Sequence, residues 1–334
     1  MISKVACIIG KGTNPYRNMA VEAHLWQMAV QDTAILFLWR CDPCVELGCG
    51  QDIAQNCDQD GILQQRFYLT RRPAGGDAFY LDENAIGYSI IVPRDSWDIH
   101  RQREILQIAL SRLQIHVRSE APYTLSMTGN LPVARQTYLL NSSTGMERGV
   151  LYLQTDPITA DHALNHAQNY EMHGLRERQP GLTAFQVMGS LCDAAGAVYG
   201  VKPYWLNEFL FDPGVLAKRE KLLSDASWIE LKPITDQRAI SGTYAWGSLT
   251  VGLTTRGGII TDCTLRSNAM EAALLLELED SLMGTPCLIG AVSGRVEQKV
   301  NQLPNHYLKR LMRDSCTLIC ERISRNDFEE MGSF

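Results

Sequence analysis

Two adjacent arginines followed by two adjacent glycines, in Arg71-Arg72-Pro73-Ala74-Gly75-Gly76-Asp77, form the segment of this sequence best suited to hold an anion. Adjacent glycines let a backbone approach a ligand closely and aim its N–H groups, and a guanidinium offers a bidentate partner to phosphate or carboxylate. The same residues also suit an ordinary Gly-Gly turn flanked by surface arginines. A second grouping, Cys41-x2-Cys44-x4-Cys49-x7-Cys57, holds enough thiols to ligate Zn²⁺ or an iron–sulfur cluster. Its spacing matches no standard knuckle pair, and buried, inert thiols are the competing reading. His162 and His166 stand at metal-ligand spacing with His173 beyond, yet no Glu follows His162 as a metal hydrolase needs, so solvated histidines are the favoured reading.

The arginine–glycine segment does not stand alone. Asn14-Pro15-Tyr16-Arg17-Asn18-Met19-Ala20-Val21-Glu22 precedes it, then Leu36-Phe37-Leu38-Trp39-Arg40, then Gly48 and Gln51. Gly149-Val150-Leu151-Tyr152-Leu153 and Ser227-Trp228 follow it. In this order and at these separations the residues resemble the lipoate-protein ligase family over nearly the whole chain. The resemblance implies a biotin-ligase-like α+β catalytic domain, a mixed and largely antiparallel sheet with packed helices, over residues 1–213. A linker and a small α+β accessory domain would occupy residues 214–334.

The resemblance also implies a chemistry. Lipoate or octanoate reacts with ATP, with Mg²⁺, to an acyl-adenylate, which then acylates a Lys on a lipoyl carrier domain or a glycine-cleavage H-like protein. Bringing a carboxylate against a triphosphate needs fixed positive charge. By the same resemblance Arg71, Arg72, Gly75, Gly76, Asp77, Asp82 and Tyr138 are the ligand-binding positions.

Several of these positions depart from the family pattern. The third glycine is Asp77, a negative charge, and the family's His-Asp-x-Gly-Asn is represented by Leu81-Asp82-Glu83-Asn84-Ala85. Counting back from Gly149, Pro132 takes the place of the lysine that contacts carboxylate and α-phosphate, and Arg135 the place of a glycine. The stretch from His162 to Gly181 replaces a longer Lys-Gly and Arg-rich adenylate loop. Arg135 is the available cationic surrogate, although a planar guanidinium three residues away is not a conservative exchange. The Cys-nucleophile route of related octanoyl-transferases has no candidate: no Cys occurs between Asp58 and Leu191, and Cys192 lies on an apolar helix face.

Composition makes the same point. The 334 residues carry 31 basic and 37 acidic side chains, a net charge of −6, which gives no electrostatic footprint for nucleic acid or an anionic membrane. Eight of the basic residues are Lys, and none falls between Lys11 and Lys202. No realignment can therefore restore the family lysine. The amino-terminal apolar run is too short and broken for a signal or spanning segment, which points to the cytoplasm, and the ten cysteines are expected to be reduced.

The elements that must position these residues follow from periodicity and caps. A helix capped by Asn14-Pro15 precedes strands at 34–39, 44–47 and 67–72; strands at 78–81 and 86–92 read as a hairpin around residues 82–84. A helix over 95–113, capped at Asp95 or Ser96, leads to strands near 115–118, 131–139 and 149–153, and helices follow near 158–169 and 183–199. Ser227-Trp228 opens a strand-rich second unit with Gly257-Gly258 as its hairpin turn and helices near 269–282 and 304–312. Three functional readings result. The first is a divergent ligase homologue, a pseudoenzyme that keeps acyl-ligand or carrier binding without ordinary adenylation. The second is an active ligase or transferase using Arg135, and the third a metal-binding regulator built on Cys41 to Cys57.

Overall fold

A computed structural model of the chain describes residues 1–120, 123–156, 159–160, 163–164 and 172–325. The chain folds into two compact units. The first comprises Met1–Leu47, Ile53–Arg72 and Ala78–Ile229; the second comprises Gly48–Asp52, Pro73–Asp77 and the chain from Glu230 onward.

The first unit contains strands β1 (Lys4–Ile9), β2 (Thr33–Trp39), β3 (Cys44–Leu47), β4 (Tyr68–Arg71), β5 (Phe79–Leu81) and β6 (Ala85–Pro93). It continues with β7 (Val117–Glu120), β8 (Thr124–Met127), β9 (Leu131–Leu140), β10 (Thr144–Tyr152) and β11 (Tyr204–Leu206). Eight strands form one sheet in the order β11-β1-β2-β6-β10-β9-β8-β7, and β4-β3-β5 form a second. In the large sheet β11, β1 and β2 run parallel and every later pairing is antiparallel. This is the mixed, largely antiparallel α+β fold expected from the sequence.

Every residue of β2, β6 and β10 is buried, which accounts for the long apolar runs of β2 and β6. The longer helices of the unit are α1 (Pro15–Gln27), α2 (Ile99–Arg112), α3 (Ala184–Tyr199) and α4 (Pro213–Leu223). The Asn14 side chain accepts from the backbone N–H groups of Tyr16 and Arg17, with Pro15 in the first turn, so α1 starts where the sequence signals. One core packs β2 and β6 residues such as Leu36, Leu38 and Ile90 with Ile105 and Leu106 of α2 and Leu191 of α3. Another sets Val21 and Leu25 of α1 with Phe37, Ile91, Phe211 and Leu216.

Several expectations are corrected. Strands β5 and β6 do not form a hairpin: β5 pairs with β3, and β6 with β2 and β10. The Asp82 side chain accepts from Asn84 N–H at 2.7 Å in a tight turn that sends the chain from one sheet to the other. The cap of α2 is Asp98, since residues 94–96 form a separate short turn of 3₁₀ helix. Ser227-Trp228 opens no strand but lies in a single helical turn, Ala226–Ile229, within the first unit. Helix α4 also belongs there, packed through Leu216 and Leu223, so residues 214–229 fold with the first unit. The helix expected near 158–169 lies largely outside the described residues.

In the second unit β12 (Ile240–Tyr244), β13 (Gly247–Arg256) and β14 (Ile259–Ser267) form an antiparallel sheet. Gly257 and Gly258, at φ +59° and +71°, make the hairpin turn that their sequence demands. Helices α5 (Ala272–Leu282), α6 (Ile289–Val300) and α7 (His306–Ser324) cover it, with Leu249, Val251, Leu275, Leu278, Leu311 and Ile319 in its core. Among the described residues no helix is long and apolar enough to cross a membrane.

Candidate functional site

The two sheets of the first unit meet through an apolar cluster that includes Cys41, Cys44, Phe79, Leu81, Val150 and Tyr152. Beside it lies a group of charges that β3, β10 and α1 bring together. The Arg148 guanidinium donates through Nη1 and Nη2 to the two Glu46 oxygens, at 2.5 and 2.9 Å, and through Nε to Glu22 at 3.0 Å. All three side chains are buried, and Ser89 donates to Glu22. Burial raises the Glu22 carboxyl above its ordinary range despite Arg148. Burial also acts to raise Glu46, but Arg148 and Arg72 outweigh it and the carboxyl is lowered.

Arg71 and Arg72, at the end of β4, are fully buried. Arg72 donates through Nη1 to the Glu46 carbonyl at 3.1 Å, lies 3.7 Å from its carboxylate, and stacks over the Phe79 ring at 4.2 Å. The Arg71 Nε donates to the Ile229 carbonyl at 2.8 Å, and the Arg71 carbonyl accepts the Trp228 indole N–H at 2.8 Å. Both guanidinium groups thus make internal contacts, one within the β4-β3-β5 sheet and the other fastening the turn at 226–229.

The opposite face of β10 carries a second polar group. Glu147 accepts from the Gln136 amide at 2.5 Å and lies 3.5 Å from the Tyr88 hydroxyl, which also accepts from Gln136. Burial pushes the Glu147 carboxyl up to about 8, beyond what Arg103, Gln136 and Tyr88 offset. Sequence reasoning missed Glu22, Glu46, Glu147 and Arg148; adjacent opposite charges inside the otherwise apolar β10 were the available signal.

Strand β9 holds Pro132, Arg135 and Tyr138. Its register against β8 shifts so that Leu125 faces Ala134 and Ser126 faces Pro132, leaving Val133 as an extra residue. Val133 and Ala134 both enter the same core, so Pro132 returns to the face that carries Arg135. Arg135 pairs with Val150, placing it on the intersheet side of β10. The Pro132 carbonyl accepts the His173 N–H at 2.7 Å, and the His173 ring lies 3.1 Å from Glu177. The Tyr138 ring packs against Trp97 and Tyr123. Burial, ahead of the opposing Asn84 N–H bond, raises the Asp82 carboxyl.

Gly75, Gly76 and Asp77 fall in the second unit. A Cβ on Gly75 would stand 2.0 Å from the Ala269 carbonyl oxygen and 2.4 Å from that of Met270, so only glycine permits this backbone approach. Gly76, at φ +88°, donates its N–H to the Ala269 carbonyl at 3.1 Å. The Asp77 carboxylate accepts from the Asn268 amide at 2.8 Å. Gly48 N–H donates to the Gln51 side chain, and Ser267 N–H donates to the Gly50 carbonyl.

The cysteines are all free. Cys41 and Cys44 approach to 3.8 Å between sulfurs, Cys57 packs in a separate cluster with Val45 and Ile62, and Cys49 belongs to the second unit. Among the described residues no three His, Cys, Asp or Glu side chains are grouped to hold a metal; His162 and His166 lie outside those residues.

Residues 14–172 match the family pattern described as the lipoyl protein ligase A/B catalytic domain, and residues 237–312 match the bacterial lipoate protein ligase C-terminus. The chain belongs to the lipoate-protein ligase family. Among curated proteins it is 23% identical to the lipoate-protein ligase A of Blochmanniella pennsylvanica over 84% of this chain and 88% of that one. Among solved structures its fold is similar to that of P. falciparum LipL1 in complex with lipoate, with a TM-score of 0.83 and 15% identity over 95% of this chain and 99% of that one. It is also similar to a bipartite lipoate protein ligase from Thermoplasma acidophilum, solved with its E2 lipoyl domain, with a TM-score of 0.60 and 15% identity over 70% of this chain and 100% of that one. A lipoate-protein ligase A bound with ATP superimposes with a TM-score of 0.59 and 16% identity over 68% of this chain and 96% of that one. In this lipoate-protein ligase homologue the matched catalytic segment contains Pro132 and lies wholly within the lysine-free stretch.

Proposed function

We propose that this family member retains an acyl-ligand or lipoyl-carrier binding surface and does not perform ordinary lipoate adenylation. One observation carries the reading: the two arginines at the family's ligand-binding positions are drawn into internal contacts. Arg72 is held by Glu46 and Phe79, Arg71 by Ile229, and Pro132 brings neither charge nor donor. In the second unit Asp77, an anion at the family's third glycine, is held by Asn268. This donor set does not suit a triphosphate or its Mg²⁺, so no adenylation step is derived through it. The partner that fits is a lipoyl carrier domain or a glycine-cleavage H-like protein, in a reducing cytoplasm suited to ten free thiols.

A specific observation favours a second reading, an active ligase or acyltransferase with a rearranged site. The bulge in β9 puts Arg135 on the same face as Pro132, where it could stand in for the lysine. One experiment separates the two. The purified chain is incubated with Mg-ATP, lipoate or octanoate and an apo lipoyl domain, and the carrier is weighed by mass spectrometry. Our reading expects unmodified carrier, whereas an acyl adduct lost in Arg135→Met would establish the second.

A further inference from the structure

Helices α1 and α4 and the turn after them leave an opening of about 500 Å³ in the first unit, lined by Ala23, Leu222, Leu223, Trp228 and Arg219 among others. Leu223 and Trp228 pack with Met19 and Ala20, whereas Leu222 is 69% exposed, so apolar surface is left uncovered. A pocket of this size with mostly apolar walls and few polar groups is the usual form of a small-molecule site.

Arg219 supplies the polar group. It donates from Nη2 to Gln27, and its buried Nε has no hydrogen-bond partner. Among the described residues no carboxylate lies within ion-pair distance of it, because nearby Glu220 and Glu208 both face Arg17. Asp225 and Ser227 also line the opening, and Asp225 Oδ1 accepts from the Ser227 N–H and hydroxyl. His24, beside Arg219, has its pKa lowered by burial and then by the Arg219 charge, against the opposing Asp212 carboxylate. A half-buried guanidinium with an orphaned donor and apolar neighbours is completed by a carboxylate on a hydrocarbon body.

We propose that this pocket binds an amphipathic carboxylate, its hydrocarbon portion against Leu222, Leu223 and Trp228 and its carboxylate on Arg219. The bound molecule rests on Trp228, the residue whose indole fastens the Arg71 carbonyl. The site is distinct from the Arg72–Glu46–Arg148 group and does not rest on the loss of adenylation.

Isothermal titration of the full chain with octanoate, octanol and acetate tests it. Octanoate is expected to bind saturably, octanol at least about tenfold more weakly, and acetate without measurable heat. Arg219→Met should weaken octanoate at least about tenfold while leaving octanol unchanged, with Arg219→Lys recovering part of the loss. Ala23→Leu, which fills the opening, should weaken both. The proposal is overturned by the absence of saturable octanoate binding, by octanol binding as tightly as octanoate, or by octanoate binding unchanged in Arg219→Met, which would put the acid elsewhere.

Discussion

Glu147 and Arg148 are neighbours in β10 that face opposite sides of the sheet, and their environments drive them to opposite fates. Glu147 is buried with Gln136 and Tyr88, and its carboxyl is raised to about 8. A carboxyl whose folded pKa exceeds its unfolded value binds more protons when folded, so its stabilising contribution is complete below the unfolded value and is lost as pH rises through about 8. Urea unfolding at intervals from pH 5 to 9 should therefore show stability falling across that window, with a shallower fall in Glu147→Gln. Arg148 is instead held between two carboxylates. Arg148→Met leaves Glu22 buried without its cation and Glu46 with Arg72 alone, and should cost about 3–5 kcal/mol in the same assay. Adding Glu22→Gln and Glu46→Gln should recover much of that loss, because a neutral buried group carries a smaller desolvation penalty.

At the scale of elements, turn chemistry and glycine placement decide what pairs with what. The Asp82–Asn84 turn carries the chain between sheets, a change of partner invisible to local alternation, which is why β5 and β6 read as one hairpin. The cap of α1 and the Gly257-Gly258 turn were legible because each is written in adjacent residues. Strands β8 and β11 were not, since their short segments are fixed by tertiary pairing. The Gly75-Gly76 pair was visible as a place of close approach, but what approaches it, the Ala269–Met270 backbone some 190 residues later, was not. Gly75→Ala should therefore destabilise the second unit: hydrogen exchange would quicken at Ala269 and along β14, while the α2 and α3 amides of the first unit keep their protection.

For the whole molecule, the family could be read from collinear motifs, and the large mixed sheet with a separate second unit agrees with it. The charged group joining Arg72, Glu46, Arg148 and Glu22 could not, because its members are spread across the first unit's chain and meet only when two sheets and a helix close on them. A lysine-free stretch in the sequence and the internal contacts of Arg71 and Arg72 both support the proposed reading, in which the charge that brings a carboxylate against ATP is not supplied. Exchange of labelled pyrophosphate into ATP, measured with Mg²⁺ and either lipoate or octanoate but without carrier, isolates that first step. The account predicts no acid-dependent exchange above the protein-free background; saturable exchange that requires the acid would contradict it.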